Sequence, residues 1–225
     1  ENNVAEEIYE SLLMLQHRGQ DAAGMVVCEP SGKLNSRKSK GYVRDVFQQN
    51  HMNNLQGNLG IGHVRYPTAG GIGKEFAQPM YVNTPYGISL AHNGNLTNSK
   101  KLAAELFHAE RRHINTDSDS EVLLNIFALE LSKQEAVFPK PKDFFSAVEK
   151  THLRINGAYA VVALITGYGI LAFRDPLGIR PLSIGIRKGK NRNEYVVSSE
   201  TALFSSTGFK FLRDVEPGEA VFIDN

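Results

Sequence analysis

The sequence contains no tryptophan and only one cysteine, Cys28, among its 225 residues. A lone cysteine excludes an internal disulfide framework and a metal site built from several thiolates. No apolar run approaches the roughly 18 residues that a membrane-spanning helix needs, and the first residues do not resemble a secretory signal. We therefore expect neither a disulfide scaffold nor a membrane protein, and we expect a reducing, cytoplasmic setting.

An excess of charge of one sign is also absent. The formal net charge is +1, and neither basic nor acidic residues form a block. Nucleic acids and anionic membranes are recognised by basic patches, so we expect neither as a partner. The seven histidines are scattered without the spacing of metal ligands. We expect no metal ion and no cofactor in this domain.

The chain does contain helix and strand patterns that predict an α+β fold. Amphipathic or apolar helices are predicted over residues 3–16, 99–107, 121–131 and 143–153. Residues 158–165 are almost continuously apolar, which is typical of a strand buried on both faces. The strands that follow are joined by short connections and should pair antiparallel. We predict one domain over residues 1–225, with two mainly antiparallel sheets covered by helices.

One stretch in the middle of the chain combines an apolar run with a polar tetrapeptide. Residues 88–91 predict a buried strand, and His92-Asn93-Gly94-Asn95 follows directly. A strand that ends in such a turn presents backbone N–H groups and an amide side chain, which suits the developing negative charge of a carbonyl oxygen. An ordinary Asn-Gly hairpin turn is the alternative.

Other polar clusters also stand at the ends of predicted elements, over residues 17–21, 65–68 and 118–121. Loops that a scaffold positions are where binding residues concentrate. If the loops converge, Arg65 offers a planar fork for a carboxylate, and Asp119 offers a partner for an ammonium group. Asn93 and Gly94 would add donors to a carbonyl, which together describes a site for an α-amino acid with a reactive carbonyl. The alternatives are a surface ion pair for Arg65 and a helix N-cap for Asp119.

Five motifs in this order resemble the glutaminase domain of the glutamine phosphoribosylpyrophosphate amidotransferases, which are class II glutamine amidotransferases. The motifs occupy residues 16–24, 62–70, 91–96, 116–121 and 173–182. The resemblance extends from Ile8 to Ile223. The related sugar-phosphate transaminases have tryptophan in place of Tyr66 and lack the signature at 173–182, so that branch fits less well.

The resemblance implies the N-terminal nucleophile hydrolase fold, a four-layer αββα sandwich. It also implies glutamine as the substrate and ammonia supply to phosphoribosyl pyrophosphate, which gives 5-phosphoribosylamine in de novo purine synthesis. It further implies roles for six positions. Arg65 and Thr68 would bind the α-carboxylate, and Asp119 would bind the α-amino group. Asn93 and Gly94 would form the oxyanion hole, and Arg18 would flank the nucleophile.

Two parts of that family's pattern have no counterpart in this sequence. The family nucleophile is an N-terminal cysteine on an apolar strand, with its own amino group as the base. This sequence begins at Glu1 and enters the first helix directly. A phosphoribosyltransferase domain, with its Mg²⁺, should follow the strand at 220–223. We expect that domain as a partner, and a homo-oligomer for the full-length enzyme.

We therefore expect a glutaminase domain that lacks its first strand and nucleophile, and that binds glutamine without hydrolysing it. Cys28 follows an apolar strand and has neither an α-amino group nor an adjacent histidine or lysine. We interpret it as a packed thiol and not as a substitute nucleophile. The alternative function is a non-catalytic glutamine-binding or interaction module of the same fold.

Overall fold

A computed structural model describes residues 3–66, 73–134, 136–190 and 192–225. The helices within those ranges are α1 (Ala5–Met14), α2 (Val43–Val46), α3 (Gln49–Met52), α4 (Ser99–His108), α5 (Asp119–Ser132), α6 (Pro141–Arg154) and α7 (Ala202–Ser206). The strands there are β1 (Ala22–Cys28), β2 (Leu34–Lys40), β3 (Leu59–Arg65), β4 (Met80–Val82), β5 (Ile88–Leu96), β6 (Gly157–Ile165), β7 (Gly169–Arg174), β8 (Ser183–Lys188), β9 (Asn193–Ser198), β10 (Lys210–Asp214) and β11 (Ala220–Asp224). None of these helices combines the length and the apolar character that crossing a membrane requires.

The strands form a five-stranded sheet in the order β11-β7-β6-β5-β4 and two three-stranded sheets, β2-β1-β3 and β10-β8-β9. Every pairing in the described residues is antiparallel. Of the antiparallel hairpins predicted near the end of the chain, β6-β7 and β8-β9 are confirmed, whereas β7 and β8 do not pair and lie in different sheets. The connections of the two confirmed hairpins are too short to bring two strands into parallel register.

The layers are held together by separate apolar clusters on the two faces of the five-stranded sheet. One face packs against α4, α5 and α6, with Phe127 and Phe173 in the core between them. The other face packs against both three-stranded sheets, through Leu164 toward β1 and β3 and through Ala160 toward β8. Helices α1 and α2 cover the outer side of β1, and α7 covers β9. The predicted αββα arrangement is confirmed, and its second β layer consists of two separate sheets.

An apolar groove separates the two three-stranded sheets. Strands β3 and β9 each lie at the edge of a sheet and form its walls, while Val162 and Ile170 form its floor. Ile8 and Leu12 of α1 close it from above, and its volume is about 190 Å³. The groove shares Gly62 as a lining residue with the larger polar cavity described below, so the two are adjacent.

The strand that was predicted to end at His92 continues to Leu96. Asn93 pairs with Ala160, and Gly94 pairs with Tyr159. The predicted turn after the apolar run is therefore wrong, and so is the alternative Asn-Gly hairpin. The physical reason is that β6 lies alongside β5 for nine residues and supplies the backbone partners that keep this polar segment extended.

Candidate functional site

A cavity of about 400 Å³ opens where the polar ends of the strands meet. Its lining includes residues from every polar cluster that the sequence singled out: Arg18, Arg65, Asn93, Gly94, Ser118 and Asp119. The structure thus brings together five of the six predicted site residues. The sixth, Thr68, lies outside the described residues.

The edge of β5 presents its backbone N–H groups to this cavity. Strand β4 pairs only with the first three residues of β5, which leaves the rest of that edge without a strand partner in the described chain. The His92 N–H donates instead to Oε1 of Gln78 at 2.7 Å, and the Leu96 N–H donates to Oδ2 of Asp119 at 2.9 Å. Because N–H groups alternate along a strand, the Gly94 N–H points to the same edge, between these two.

Position 94 requires glycine in this arrangement. Its φ is +155°, and a Cβ atom there would lie 1.9 Å from the carbonyl oxygen of Ala158. Asn93, the preceding residue, lines the cavity, and its amide makes no hydrogen bond with the described residues. The Asn93 amide and the Gly94 N–H are therefore both donors that face the cavity.

Arg65 lies at the end of β3 and is buried, with 7% of its surface exposed. Its Nη1 is 2.5 Å from Oδ2 of Asp21, whose side chain is 10% exposed. Its guanidinium lies 5.2 Å from the ring centre of Phe76. Arg65 thus does form an ion pair, but a buried one, and the surface ion pair considered from the sequence is wrong. A guanidinium has five N–H donors, so it can hold Asp21 and still recognise a ligand carboxylate.

Asp119 is the first residue of α5, and the N-cap of that helix is Ser118. The Ser118 hydroxyl accepts from the N–H of Ser120 at 3.3 Å. The Asp119 carboxylate instead accepts from Leu96, and its Oδ1 lies 3.8 Å from Nδ1 of His92. The N-cap alternative for Asp119 is therefore wrong. The dipole of α5 favours a carboxylate at this N-terminal position, where Asp119 lines the cavity.

Arg18 reaches the cavity from the short helical turn that follows α1. Its Nη1 lies 2.6 Å from Oε1 of Glu200, which also accepts from Nε2 of His17 at 3.1 Å. The hydrogen bond from Arg18 holds the pKa of the Glu200 carboxyl below its ordinary value. Glu200 therefore fixes the position of the Arg18 side chain at the cavity.

Two histidines line the inner part of the cavity. Burial lowers the pKa of His63 to about 3. Burial also lowers the pKa of His92, although the nearby Asp119 carboxylate opposes that change. The Nδ1 atom of His92 lies 3.1 Å from the hydroxyl of Ser120. Both rings are therefore neutral near pH 7 and add no positive charge to the site.

Cys28 is not part of this cavity. It ends β1 with 4% of its surface exposed, in an apolar cluster with Val26, Ile61 and Leu164. Burial raises the pKa of its thiol, and the sulfur donates to the carbonyl of Glu29. The interpretation of Cys28 as a packed thiol is confirmed. In the described ranges, no group of three or more His, Cys, Asp or Glu side chains is arranged to hold a metal ion.

Four residues that shape the site had no role predicted from the sequence: Asp21, Gln78, Arg180 and Glu200. Asp21 and Arg180 lie inside motifs that were recognised, so their motif membership was a usable signal. Gln78 and Glu200 lie outside the motifs. Their contacts join residues that are distant in the sequence, and no local pattern marks such pairs.

The antiparallel αββα fold places the chain in the N-terminal nucleophile hydrolase fold class. The chain belongs to the glutamine amidotransferase domain family, whose match covers residues 72–206. It is 54% identical over 220 residues to amidophosphoribosyltransferase of Pasteurella multocida, which covers 98% of this chain and 44% of that protein. It is 55% identical over 221 residues to the Escherichia coli K12 amidophosphoribosyltransferase, with the same two coverages.

A solved structure supports the same relationship. Glutamine phosphoribosylpyrophosphate amidotransferase from B. subtilis, complexed with ADP and GMP, matches with a TM-score of 0.82 and 35% identity. The match covers 99% of this chain and 45% of that one. The resemblance inferred from the five motifs is confirmed. The chain spans less than half the length of the relatives that it matches.

Proposed function

We propose that the cavity binds L-glutamine and that this domain is the glutamine-hydrolysing part of an amidophosphoribosyltransferase. One observation carries the proposal. The Gly94 N–H and the Asn93 amide face the same cavity as a guanidinium, Arg65, and a carboxylate, Asp119. A free α-amino acid with a side-chain amide matches that set of groups.

Each end of the ligand has a partner of opposite charge. The Asp119 carboxylate binds the α-ammonium group, and Arg65 binds the α-carboxylate through a charge-assisted hydrogen bond. The predicted contribution of Thr68 to the carboxylate site stays a prediction. This orientation directs the side-chain amide of glutamine toward Asn93 and Gly94.

The chemistry follows from the Asn93 and Gly94 donors. When a nucleophile attacks the amide carbon, the carbonyl oxygen gains negative charge. Donors fixed in advance at that oxygen stabilise the tetrahedral intermediate, and removing one such donor typically costs about 100- to 1,000-fold in rate. Ammonia then leaves with a proton, and water releases glutamate from the acyl intermediate.

The sequence given has no cysteine that could perform this attack from inside the cavity. Its one cysteine, Cys28, is buried in an apolar cluster away from the site. We therefore propose that this polypeptide binds glutamine and does not turn it over. This observation also favours a second candidate, a glutamine-binding module without catalysis. Glutaminase activity of the protein expressed from its complete coding sequence would favour the first candidate, and binding without activity would favour the second.

Transfer of the ammonia to phosphoribosyl pyrophosphate is proposed for a longer protein of which this chain is a part. The relatives named above carry the amidophosphoribosyltransferase name over roughly twice the length of this chain. The Mg²⁺ ion and the phosphoribosyl substrate are assigned to that further region. No described residue of this chain is proposed to bind them.

Isothermal titration of the chain with L-glutamine tests the proposal. We expect saturable binding to one site, and we expect Asp119→Asn to weaken it by about tenfold because an ion pair with the α-ammonium group is lost. Asp117→Asn is the matched control, since this substitution makes the same change of charge at an exposed residue outside the cavity. Absence of binding, or equal losses in the two variants, would contradict the proposal.

A further inference from the structure

A third guanidinium, Arg180, lines the same cavity and has no assigned role. Arg180 ends the loop that follows β7. The backbone of this loop is arranged around the carboxylate of Asp175, which has 0% exposure. Asp175 accepts the backbone N–H groups of Leu177, Ile179 and Arg180 at 3.0 to 3.3 Å. A buried carboxylate with several backbone donors fixes the loop around itself.

Arg174 fixes the same loop from its other side. Its guanidinium donates to the carbonyls of Arg180 and Gly178, each at 2.5 Å, and to the carbonyl of Val215 at 2.8 Å. Both the N–H and the carbonyl of Arg180 are therefore held by buried or half-buried partners. The backbone from which the Arg180 side chain extends is preorganised before any ligand arrives.

Arg180 differs from the other two arginines of the cavity in having no carboxylate partner among the described residues. Arg18 is paired with Glu200, and Arg65 is paired with Asp21. In the described part of the chain, the Arg180 side chain forms no hydrogen bond or ion pair, and its Nε is buried without a partner. A buried donor without an acceptor is costly, so the site favours a ligand that brings negative charge.

Arg180 and the ring of Phe76, against which Arg65 packs, belong to segments that adjoin strands on opposite sides of β5. Arg65 packs over Phe76, which precedes β4, whereas Arg180 follows β7. The sheet order β7-β6-β5-β4 places β5 and its donors between those two sides. Arg180 is also close enough to His92 to contribute to the lowered pKa of that ring. If Arg65 binds the α-carboxylate, Arg180 lies toward the side-chain end of the ligand.

We infer that Arg180 is a specificity-determining residue that binds negative charge at the side-chain end of the ligand, and so strengthens the binding of L-glutamate relative to L-glutamine. The inference rests on the proposed function, because it takes the cavity as the site for an amino acid. A carboxylate offers the guanidinium two charged acceptors, whereas the carboxamide offers a neutral carbonyl oxygen. Arg180 would accordingly bind glutamate, the product of glutamine hydrolysis, more strongly than it binds glutamine.

Titration of three variants with both ligands tests the inference. We expect Arg180→Gln to weaken glutamate binding by about tenfold and glutamine binding by less than about threefold, since only the charged contact is lost. Arg180→Lys keeps the charge and should retain most of the preference. Arg44→Gln removes the same charge from an exposed residue outside the cavity and should change neither affinity.

Every outcome of this experiment bears on the inference. Equal weakening of the two ligands in Arg180→Gln, or no weakening, would overturn it. Binding of glutamine but not glutamate by the unaltered chain would also overturn it, while the proposed function would stand. Binding of neither ligand would overturn both. Because the two affinities are measured on one sample, a partly unfolded variant changes both equally and leaves their ratio interpretable.

Discussion

The carboxylate of Asp21 lies 2.5 Å from the guanidinium of Arg65, and the two side chains are only 10% and 8% exposed. The backbones of the two residues are joined as well, since the Asp21 N–H donates to the Arg65 carbonyl at 3.0 Å. Gly19 packs so closely on Arg65 that a Cβ atom at position 19 would lie 2.5 Å from its carbonyl carbon. Asp21 and Arg65 are 44 residues apart in sequence, and their contact joins two motifs at one wall of the cavity.

Removal of the Asp21 charge should destabilise the fold. In Asp21→Asn the buried Arg65 guanidinium loses its carboxylate partner, and we expect the free energy of unfolding to fall by about 3 kcal/mol. Urea denaturation at pH 7 measures the change, with Asp117→Asn as the exposed control. A loss no larger than in the control would mean that the ion pair does not hold this wall together.

Substitution of Gly94 should damage both the sheet and the site. The new methyl group of Gly94→Ala would overlap the Ala158 carbonyl, so β5 must move away from β6. We expect a loss of about 2–3 kcal/mol in stability from this overpacking, together with loss of measurable glutamine binding. Gly167→Ala is the control, because Gly167 also has a positive φ but has open space where the Cβ would stand. Equal effects in both variants would assign the damage to backbone strain alone.

Acid should weaken the fold through His63. Its pKa is about 3 in the folded state, against an ordinary value of 6.5, so the unfolded chain binds a proton that the folded chain does not. Its contribution to stability is therefore complete above pH 6.5 and is lost as the pH falls toward about 3. Burial shifts the pKa of His92 in the same direction.

A comparison with His63→Gln isolates this effect from that of the carboxylates. Between pH 7 and pH 4, we expect the free energy of unfolding of the unaltered chain to fall more steeply than that of the variant. Urea denaturation at several pH values gives both curves. Parallel curves would show that His63 does not resist protonation in the folded state.

The Cys28 thiol should react slowly in the native protein. Its burial and its raised pKa both reduce the amount of accessible thiolate, so we expect alkylation by iodoacetamide to be about 100-fold slower than in urea. Cys28→Ala should bind glutamine as the unaltered chain does. Rapid labelling without denaturant, or loss of glutamine binding in the variant, would restore Cys28 as a candidate site residue.

Local patterns were sufficient to predict much of the fold. The apolar run at 158–165 indicated a strand buried on both faces, and β6 has helices packed on one face and the second β layer on the other. Periodic apolar residues indicated α5, which is buried along most of its length. These signals are local because the spacing of apolar residues within a helix or strand matches the face that it buries.

The errors came from contacts between distant residues. The continuation of β5 through Gly94 depends on β6, which lies more than sixty residues later in the chain. The role of Asp119 depends on Leu96, and the burial of Arg65 depends on Asp21. The composition of a turn or loop does not identify partners that are distant in sequence. The sequence therefore predicted which side chains line the cavity better than it predicted the contacts that position them.

The most direct test of the central claim is a calorimetric comparison of L-glutamine with two of its fragments. Glutaramate lacks the α-amino group, and 4-aminobutanamide lacks the α-carboxylate. If the cavity recognises a free α-amino acid, each fragment should bind at least about tenfold more weakly than glutamine, and Asp119→Asn should bind glutamine and glutaramate alike. Equal affinity of the unaltered chain for glutamine and both fragments would contradict the account.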